Sequence, residues 1–317
     1  MHQHDLFKNL KIEPETFLTF INKIQNNYNP KFIEYHNKTH GTDVCQTSNY
    51  FIQGWDLLSV WDLNDLELAS IYIASAWHDF EHPGLNNAFL VESRLDWALE
   101  YNDRSPLENH HISSTFMTIQ NSEWNIFKNF SNSEFKDARK TMIELVLATD
   151  AALHFTDLAK FKSRITAEDF APGSKDDKIT ILKMMIHLAD ISNPVKSFDL
   201  ALVWTGLLYD EFFKQGDQEL QAGRDWSFLM NRKTTNIAGW SIGFINMIVA
   251  PAFEELAKVI PLSQTCIDNM NCNKNKWEEI KEEYKIRMEN DQNFIPESRG
   301  KIMDKEADFL PPLRSKN

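Results

Sequence analysis

The sequence predicts an all-α protein, a single compact multi-helix domain. Three observations carry that expectation. Apolar residues recur at spacings of three and four in one segment after another. Alternating β-branched runs joined by hairpin turns are absent. A helix-start signature of the capping-box kind, Asn64 with Glu67 three residues on, precedes one of the stripes.

The elements follow in chain order. From Asn64 the segment NDLELASIYIASAWHDF places Leu68, Ile71, Tyr72 and Ser75 on one face. ISSTFMTIQ carries Ile112, Phe116 and Ile119, and KTMIELVLATD carries Met142, Leu145, Val146 and Thr149. TILKMMIHLAD carries Ile181, Met184 or Met185, Leu188 and Ile191. GWSIGFINMIVAPAFEEL reads as a mostly apolar helix with Pro251 as a kink or break. Residues 274–290 read as a charged amphipathic helix. Residues 1–296 are expected to form the domain, and 297–317 a loose tail with Pro311 and Pro312 near its end.

Composition excludes several classes. The chain has 317 residues, 42% hydrophobic and 25% charged, with ten Gly and eleven Pro, which rules out collagen-like or wholly disordered polymers. No stretch of about 18 uncharged apolar residues is evident, so no membrane span is expected. The N-terminus lacks the basic start and apolar run of a signal peptide. Cys45, Cys266 and Cys272 form no CxxC pair and fit a reduced, cytoplasmic setting. A net charge of −13 argues against a nucleic-acid partner. A small anionic substrate would need local positive charge, and a bound metal is one source.

The ten histidines carry the chemistry. His2 and His4 are terminal. His36 and His40 are four apart in YHNKTHGTDV, His78 and His82 four apart in HDFEHPG with Asp79 beside the first, and His187 and Asp190 three apart in HLADISNP. Side chains three or four apart share a helix face and can aim at one point. His and Asp together ligate zinc, iron or manganese. A single helical His is usually a surface or hydrogen-bonded core residue. Three such segments, with His78, Thr149 and Asp190 late in apolar helices and Pro83 and Pro194 stopping two of them, are better explained by a shared metal, because buried polar groups without partners are costly.

At these residues the chain resembles the class I cyclic nucleotide phosphodiesterases. HDFEHPGLNNAF (78–89) looks like their signature. YHNKTHGTDV (35–44), YNDRSPLENHH (101–111), LATDAALH (147–154), HLADISNP (187–194) and EFFKQGD (211–217) follow the family's order. The resemblance covers about residues 6 to 290 and implies the HD-type all-α fold with a central two-metal pocket. It implies His40, His78, Asp79 and Asp190 as ligands of Zn2+ in the tighter site. It implies Asp79 as a bridge to a second metal, Mg2+ or Mn2+, whose waters are held by His82, Glu108 and Thr149. The expected reaction is hydrolysis of a 3′,5′-cyclic nucleotide (cAMP, cGMP or both) to the nucleoside 5′-monophosphate. A metal-bridging hydroxide would attack phosphorus and His36 would protonate the leaving 3′ oxygen, with Glu211 orienting His36.

For the base, Phe244 resembles the aromatic residue that stacks on the purine, with Leu208 and Phe212 as the opposing clamp. Asn193 would bond the base, and Tyr35 and Trp204 would line the pocket. Read alone, the apolar members of this set are core residues, and Asn before Pro is a common turn residue. Two departures stand out. WSIGF places Ser241 where the family carries glutamine, which predicts weakened or altered base recognition with intact metal chemistry. The family generally has further helices before the stretch matching 6–16, so the N-terminus reads as shortened. Two other functions are weighed: a non-catalytic cyclic nucleotide binder, and an HD-type phosphohydrolase acting on another phosphate ester. The complete metal set, with His36 and Glu108, favours turnover.

Overall fold

The computed structural model describes residues 1–28 and 33–290; the expected tail at 297–317 lies outside them. The described residues are helical or irregular, with no strand among them. The chain divides into two compact units. One is Met1–Ser192 with Pro251–Thr265, and the other is Asn193–Ala250 with the chain from Cys266 onward.

The first unit is organised around helix Asp65–Trp77. Its start is the capping box read from the sequence: Asn64 Oδ1 accepts from Leu66 N (2.9 Å) and Glu67 N (3.0 Å), and Asn64 N donates to Glu67 Oε2 (3.0 Å). Leu68, Ile71, Tyr72 and Ser75 are all buried, and so is most of the rest of this helix. It packs between helices Lys38–Gly54 and Asn132–Leu147, and helix Lys175–Asp190 packs against both of those. Trp77 is fully buried, edge-on to Phe20 (5.7 Å) and Phe116 (5.6 Å). Burying a side chain of this kind stabilises by about 1.5–3 kcal/mol. The stripes at Ile112, Phe116 and Ile119, at Met142, Leu145 and Val146, and at Ile181, Met184, Met185 and Leu188 are likewise buried. Pro83 and Pro194 do not stop their helices directly. Those helices end earlier, at Trp77 and Asp190, and the prolines lie in the turns that follow.

In the second unit, helix Phe198–Gln221 buries Tyr209 and Phe213 against Ile237, with Phe212 and Trp240 packed on the same cluster. Helix Gln264–Asn290 starts ten residues before the charged segment expected at 274. Its Asn273 Nδ2 donates to the carbonyls of Pro194 and Lys196, both at 2.8 Å, and so fixes the Asn193–Val195 turn.

Pro251 neither breaks nor stops its helix. Helix Ile237–Phe244 passes through a π-helical segment, Ile245–Val249, into helix Ala250–Ala257. Proline lacks the N–H for a regular i→i−4 bond and crowds the preceding turn, and a wider turn just upstream relieves both. This run, Ile237–Ala257, is long and apolar enough to cross a bilayer by length and composition alone, where the sequence reading found no such stretch. Ala252, Phe253 and Leu256 of that run are fully buried within the protein.

Candidate active site

Three helix ends of the first unit deliver four donors to one point. His40 lies in the first turn of helix Lys38–Gly54, whose N-cap Asn37 accepts from Thr39 N at 2.8 Å. His78 and Asp79 follow helix Asp65–Trp77, and Asp190 ends helix Lys175–Asp190. His40 Nε2 is 2.9 Å from Asp190 Oδ1, 3.3 Å from His78 Nε2 and 3.3 Å from Asp79 Oδ2. His78 Nε2 is 3.2 Å from Asp79 Oδ2 and 3.3 Å from Asp190 Oδ1. Four donors placed tetrahedrally at about 2.0–2.1 Å from a zinc ion would be roughly 3.3 Å apart. The donor set therefore fits a divalent cation both in chemistry and in spacing.

The surroundings support the same fit. His78 Nδ1 donates to the Ser75 carbonyl at 3.0 Å, which leaves Nε2 as the nitrogen that would face a bound cation. Burial alone would lower His78, but Asp79 and Asp190 raise it well above the usual imidazole value. Burial would raise both carboxyl groups, yet His78 and His40 hold Asp79 and Asp190 well below the usual range. Two buried carboxylates thus favour positive charge at the point where the imidazole nitrogens meet.

Asp79 also belongs to a second cluster, with His82 and His111, whose donor atoms lie within 4.8 Å of one another. His111 has no role in the sequence reading, although LENHH ends on it. It is buried, its Nδ1 donates to the Phe80 carbonyl at 2.6 Å, and its Nε2 is 3.7 Å from Asp79 Oδ1. Burial lowers its pKa to about 4, so it is a neutral imidazole with a lone pair toward Asp79. The adjacent His-His pair was the available signal, but nothing local says which of the two turns inward.

His36 stacks on His82 (4.1 Å, 23°) and meets His40 edge-on at 5.6 Å, while Tyr35 is buried against both His36 and His40. Glu108 is buried and accepts from Asn87 Nδ2 at 3.0 Å. Burial and the nearby Asp150 push Glu108 up to about 8, and a divalent cation alongside would favour its ionised form. Thr149 follows helix Asn132–Leu147 and donates to the Val146 carbonyl at 2.8 Å.

Of the expected base-side residues, Tyr35 falls in the first unit, while Asn193, Trp204, Leu208, Phe212, Ser241 and Phe244 fall in the second with Glu211. Glu211 and Trp204 are buried on helix Phe198–Gln221, where Leu208 and Phe212 are half-buried. Asn193 is buried in its turn, Ser241 is half-buried, and Phe244 is exposed.

Glu81, between Asp79 and His82, accepts from His110 Nε2 (2.9 Å), Ser114 Oγ (2.7 Å) and Asn27 Nδ2 (2.9 Å). His110 above all, then Ser114 and Asn27, lower its pKa from 4.5 to about 2. A depressed carboxyl group contributes stability that is complete above its unfolded value and lost as the pH falls through its folded one. Thermal melts of Glu81→Gln are therefore expected to show a flatter decline than wild type between about pH 4.5 and 2. Parallel declines would contradict this assignment.

Comparison with known proteins adds the family. The model of the 3′5′-cyclic nucleotide phosphodiesterase family matches residues 35–270. The bovine dual specificity calcium/calmodulin-dependent 3′,5′-cyclic nucleotide phosphodiesterase 1B is 38% identical over 257 residues, 81% of this chain and 47% of that protein. The human protein of the same name is 38% identical over 275 residues, 86% of this chain and 50% of its own. The chain thus spans about half the length of the curated relatives it matches. The crystal structure of the phosphodiesterase domain of the RhoPDE fusion protein from the choanoflagellate Salpingoeca rosetta superposes with a TM-score of 0.82 at 29% identity, covering 90% of this chain and 89% of that one. With the family pattern matched across both units and a cluster of metal-ligand type where its HD pair falls, the chain belongs to the 3′5′-cyclic nucleotide phosphodiesterase family, whose chemistry depends on divalent metal.

Proposed function

We propose that this chain hydrolyses a 3′,5′-cyclic nucleotide, cAMP, cGMP or both, to the nucleoside 5′-monophosphate. The observation that supports this best is the four-donor cluster of His40, His78, Asp79 and Asp190 in a chain of this family. In this reading those four residues hold Zn2+. Asp79, with His82, Glu108 and Thr149, would serve a second site for Mg2+ or Mn2+. When bound, the metals supply a nucleophile near neutral pH and offset charge on the phosphoryl oxygens.

The protein's own residues do the rest. His36, stacked on His82 beside the cluster, carries the proton that the departing 3′ oxygen needs, because an alkoxide is a poor leaving group. His40 and His78 are fully buried and hold their donors fixed. Asn193, Trp204, Leu208, Phe212 and Phe244 are assigned to the nucleoside, with Tyr35 beside His36.

The test is turnover of cAMP and cGMP by the purified chain supplied with zinc and magnesium or manganese, beside p-nitrophenyl phosphate. Cyclic nucleotide turnover in clear excess over the monoester is expected. Turnover of the monoester alone would favour an HD-type phosphohydrolase, and binding of cyclic nucleotide without turnover would favour a binder.

Ser241 sets a separate expectation. A glutamine offers a donor and an acceptor on a long arm, and serine keeps only a short hydroxyl. Ser241→Gln is expected to lower KM for at least one nucleotide by a few-fold to about tenfold, as one recovered hydrogen bond of about 0.5–1.5 kcal/mol would give, with kcat little changed. Unchanged KM values for both nucleotides would remove Ser241 from the pocket.

A further inference from the structure

The turn that carries Asp79 and His82 is held in an unusual way. Glu81 has φ 64°, in the left-handed region that glycine enters freely and that an L side chain resists. A simple chain reversal at this point would favour glycine, as at Gly84 with φ 73° three residues on. The glutamate side chain makes three hydrogen bonds, to Asn27 at the end of helix Pro14–Asn27 and to His110 and Ser114 on helix Pro106–Thr118. His110 is itself fixed by stacking on Trp97, with centroids 3.5 Å apart and planes within 17°.

The neighbouring residues are tied as well. Tyr28 Oη accepts from Asp79 N and donates to the Ala76 carbonyl, both at 3.2 Å. His111 Nδ1 donates to the Phe80 carbonyl, and His82 N donates to the Asp79 carbonyl at 3.0 Å. Asp79 and His82, on either side of the strained residue, bring their donor atoms together with His111.

We infer that Glu81 is a positioning residue, whose carboxylate fastens the 79–82 turn to two neighbouring helices in the left-handed conformation that aims Asp79 and His82 at a common divalent cation. This rests on the proposed function for its consequence in turnover, but not for its consequence in metal binding. Glu81 belongs to none of the donor clusters among the described residues, and acts through the two residues it places.

Glycine makes the discriminating substitution. If residue 81 is only a turn, Glu81→Gly relieves strain and leaves metal binding and turnover as they were. If Glu81 is the fastening, Glu81→Gly frees the turn. Mn2+ affinity, read by electron paramagnetic resonance on the purified full chain, is then expected to fall about 10–100-fold, the range seen when outer-shell partners of a metal site are removed. A comparable fall in kcat with KM within about twofold of wild type is expected, since the nucleoside contacts are untouched. Glu81→Gln keeps one oxygen that can accept from His110 and Ser114, with its amide N–H turned toward Asn27, and is expected to recover part of both losses.

Ser114→Ala removes one tie without changing the turn itself, and it decides the matter if Glu81→Gly does not fold by thermal melting. It is expected to weaken Mn2+ binding measurably. Wild-type Mn2+ affinity in a folded Glu81→Gly protein, or in Ser114→Ala where Glu81→Gly is unfolded, would overturn the inference. A wild-type chain that binds Mn2+ but turns over neither nucleotide would instead overturn the proposed function and leave the metal comparison readable.

Discussion

Asp190→Ala is expected to abolish tight metal binding and with it turnover of either cyclic nucleotide. Asp190 Oδ1 lies 2.9 Å from His40 Nε2 and 3.3 Å from His78 Nε2, so its loss opens one corner of a four-donor site. Removing an outer-shell partner of a metal ligand typically costs about 10–100-fold in affinity or activity, and removing a ligand should exceed that. The substitution also takes away one of the two carboxylates that hold His78 well above the usual imidazole value, so the remaining imidazoles attract positive charge less strongly. Zinc content by elemental analysis and turnover of cAMP and cGMP are the paired measurements. A variant with wild-type zinc and wild-type rates would dismiss the cluster as the metal site. A variant with normal zinc and lost turnover would move Asp190 from ligand to another role.

Gly216→Ala should destabilise the protein, against the usual sign for that change. Gly216 lies inside helix Phe198–Gln221, where alanine ordinarily gains about 1 kcal/mol over glycine. Here a Cβ would fall 2.1 Å from the Met230 carbonyl oxygen, 2.9 Å from its carbonyl carbon and 3.0 Å from its Cβ. The obstacle is mainly backbone, so it cannot swing aside as a flexible side chain would. Overpacking of this kind costs about 1–3 kcal/mol, which outweighs the helix gain or cancels it. Urea unfolding of the two proteins measures it, and a higher midpoint for the alanine variant would show that the Met230 loop yields. The same helix carries Glu211 and Phe212, so reduced turnover from Gly216→Ala would need to be compared with its loss of stability.

Some of this protein was legible in its sequence because the governing interactions are local. The capping box at Asn64 and Glu67 needs only residues three apart, and it forms as read. The buried stripes on the 65–77, 132–147 and 175–190 helices follow from helical periodicity, and the residues named for them are buried except Ile191, which caps the last helix and is half-buried. His40, His78, Asp79 and Asp190 could be singled out because the family's motifs mark them, and the structure brings all four together.

Other features had no local signal. His111 and His110 are adjacent and chemically identical, yet one turns to Phe80 and Asp79 while the other stacks on Trp97 and bonds Glu81. The π-helical segment before Pro251 reflects how a proline is accommodated within a continuous helix, where the sequence alone suggested a kink or break. Gly216 lies in a motif that was recognised, but its reason, the Met230 carbonyl fourteen residues on, is visible only in the packed chain.

The sequence by itself determined several of the helices and the faces they bury, though not helices Pro14–Asn27, Lys38–Gly54, His154–Ile165 or Phe198–Gln221, and it determined which side chains have the chemistry to hold a metal. These follow from periodicity, caps and ligand types, all readable within a few residues. Only the tertiary structure decided that residues 40, 78, 79 and 190 meet within hydrogen-bonding distances, that Asp79 serves two clusters, and that Glu81 is held in a left-handed turn by residues 27, 110 and 114. Those placements are set by helix packing across separations of 29 to 150 residues, with distances that no local pattern encodes.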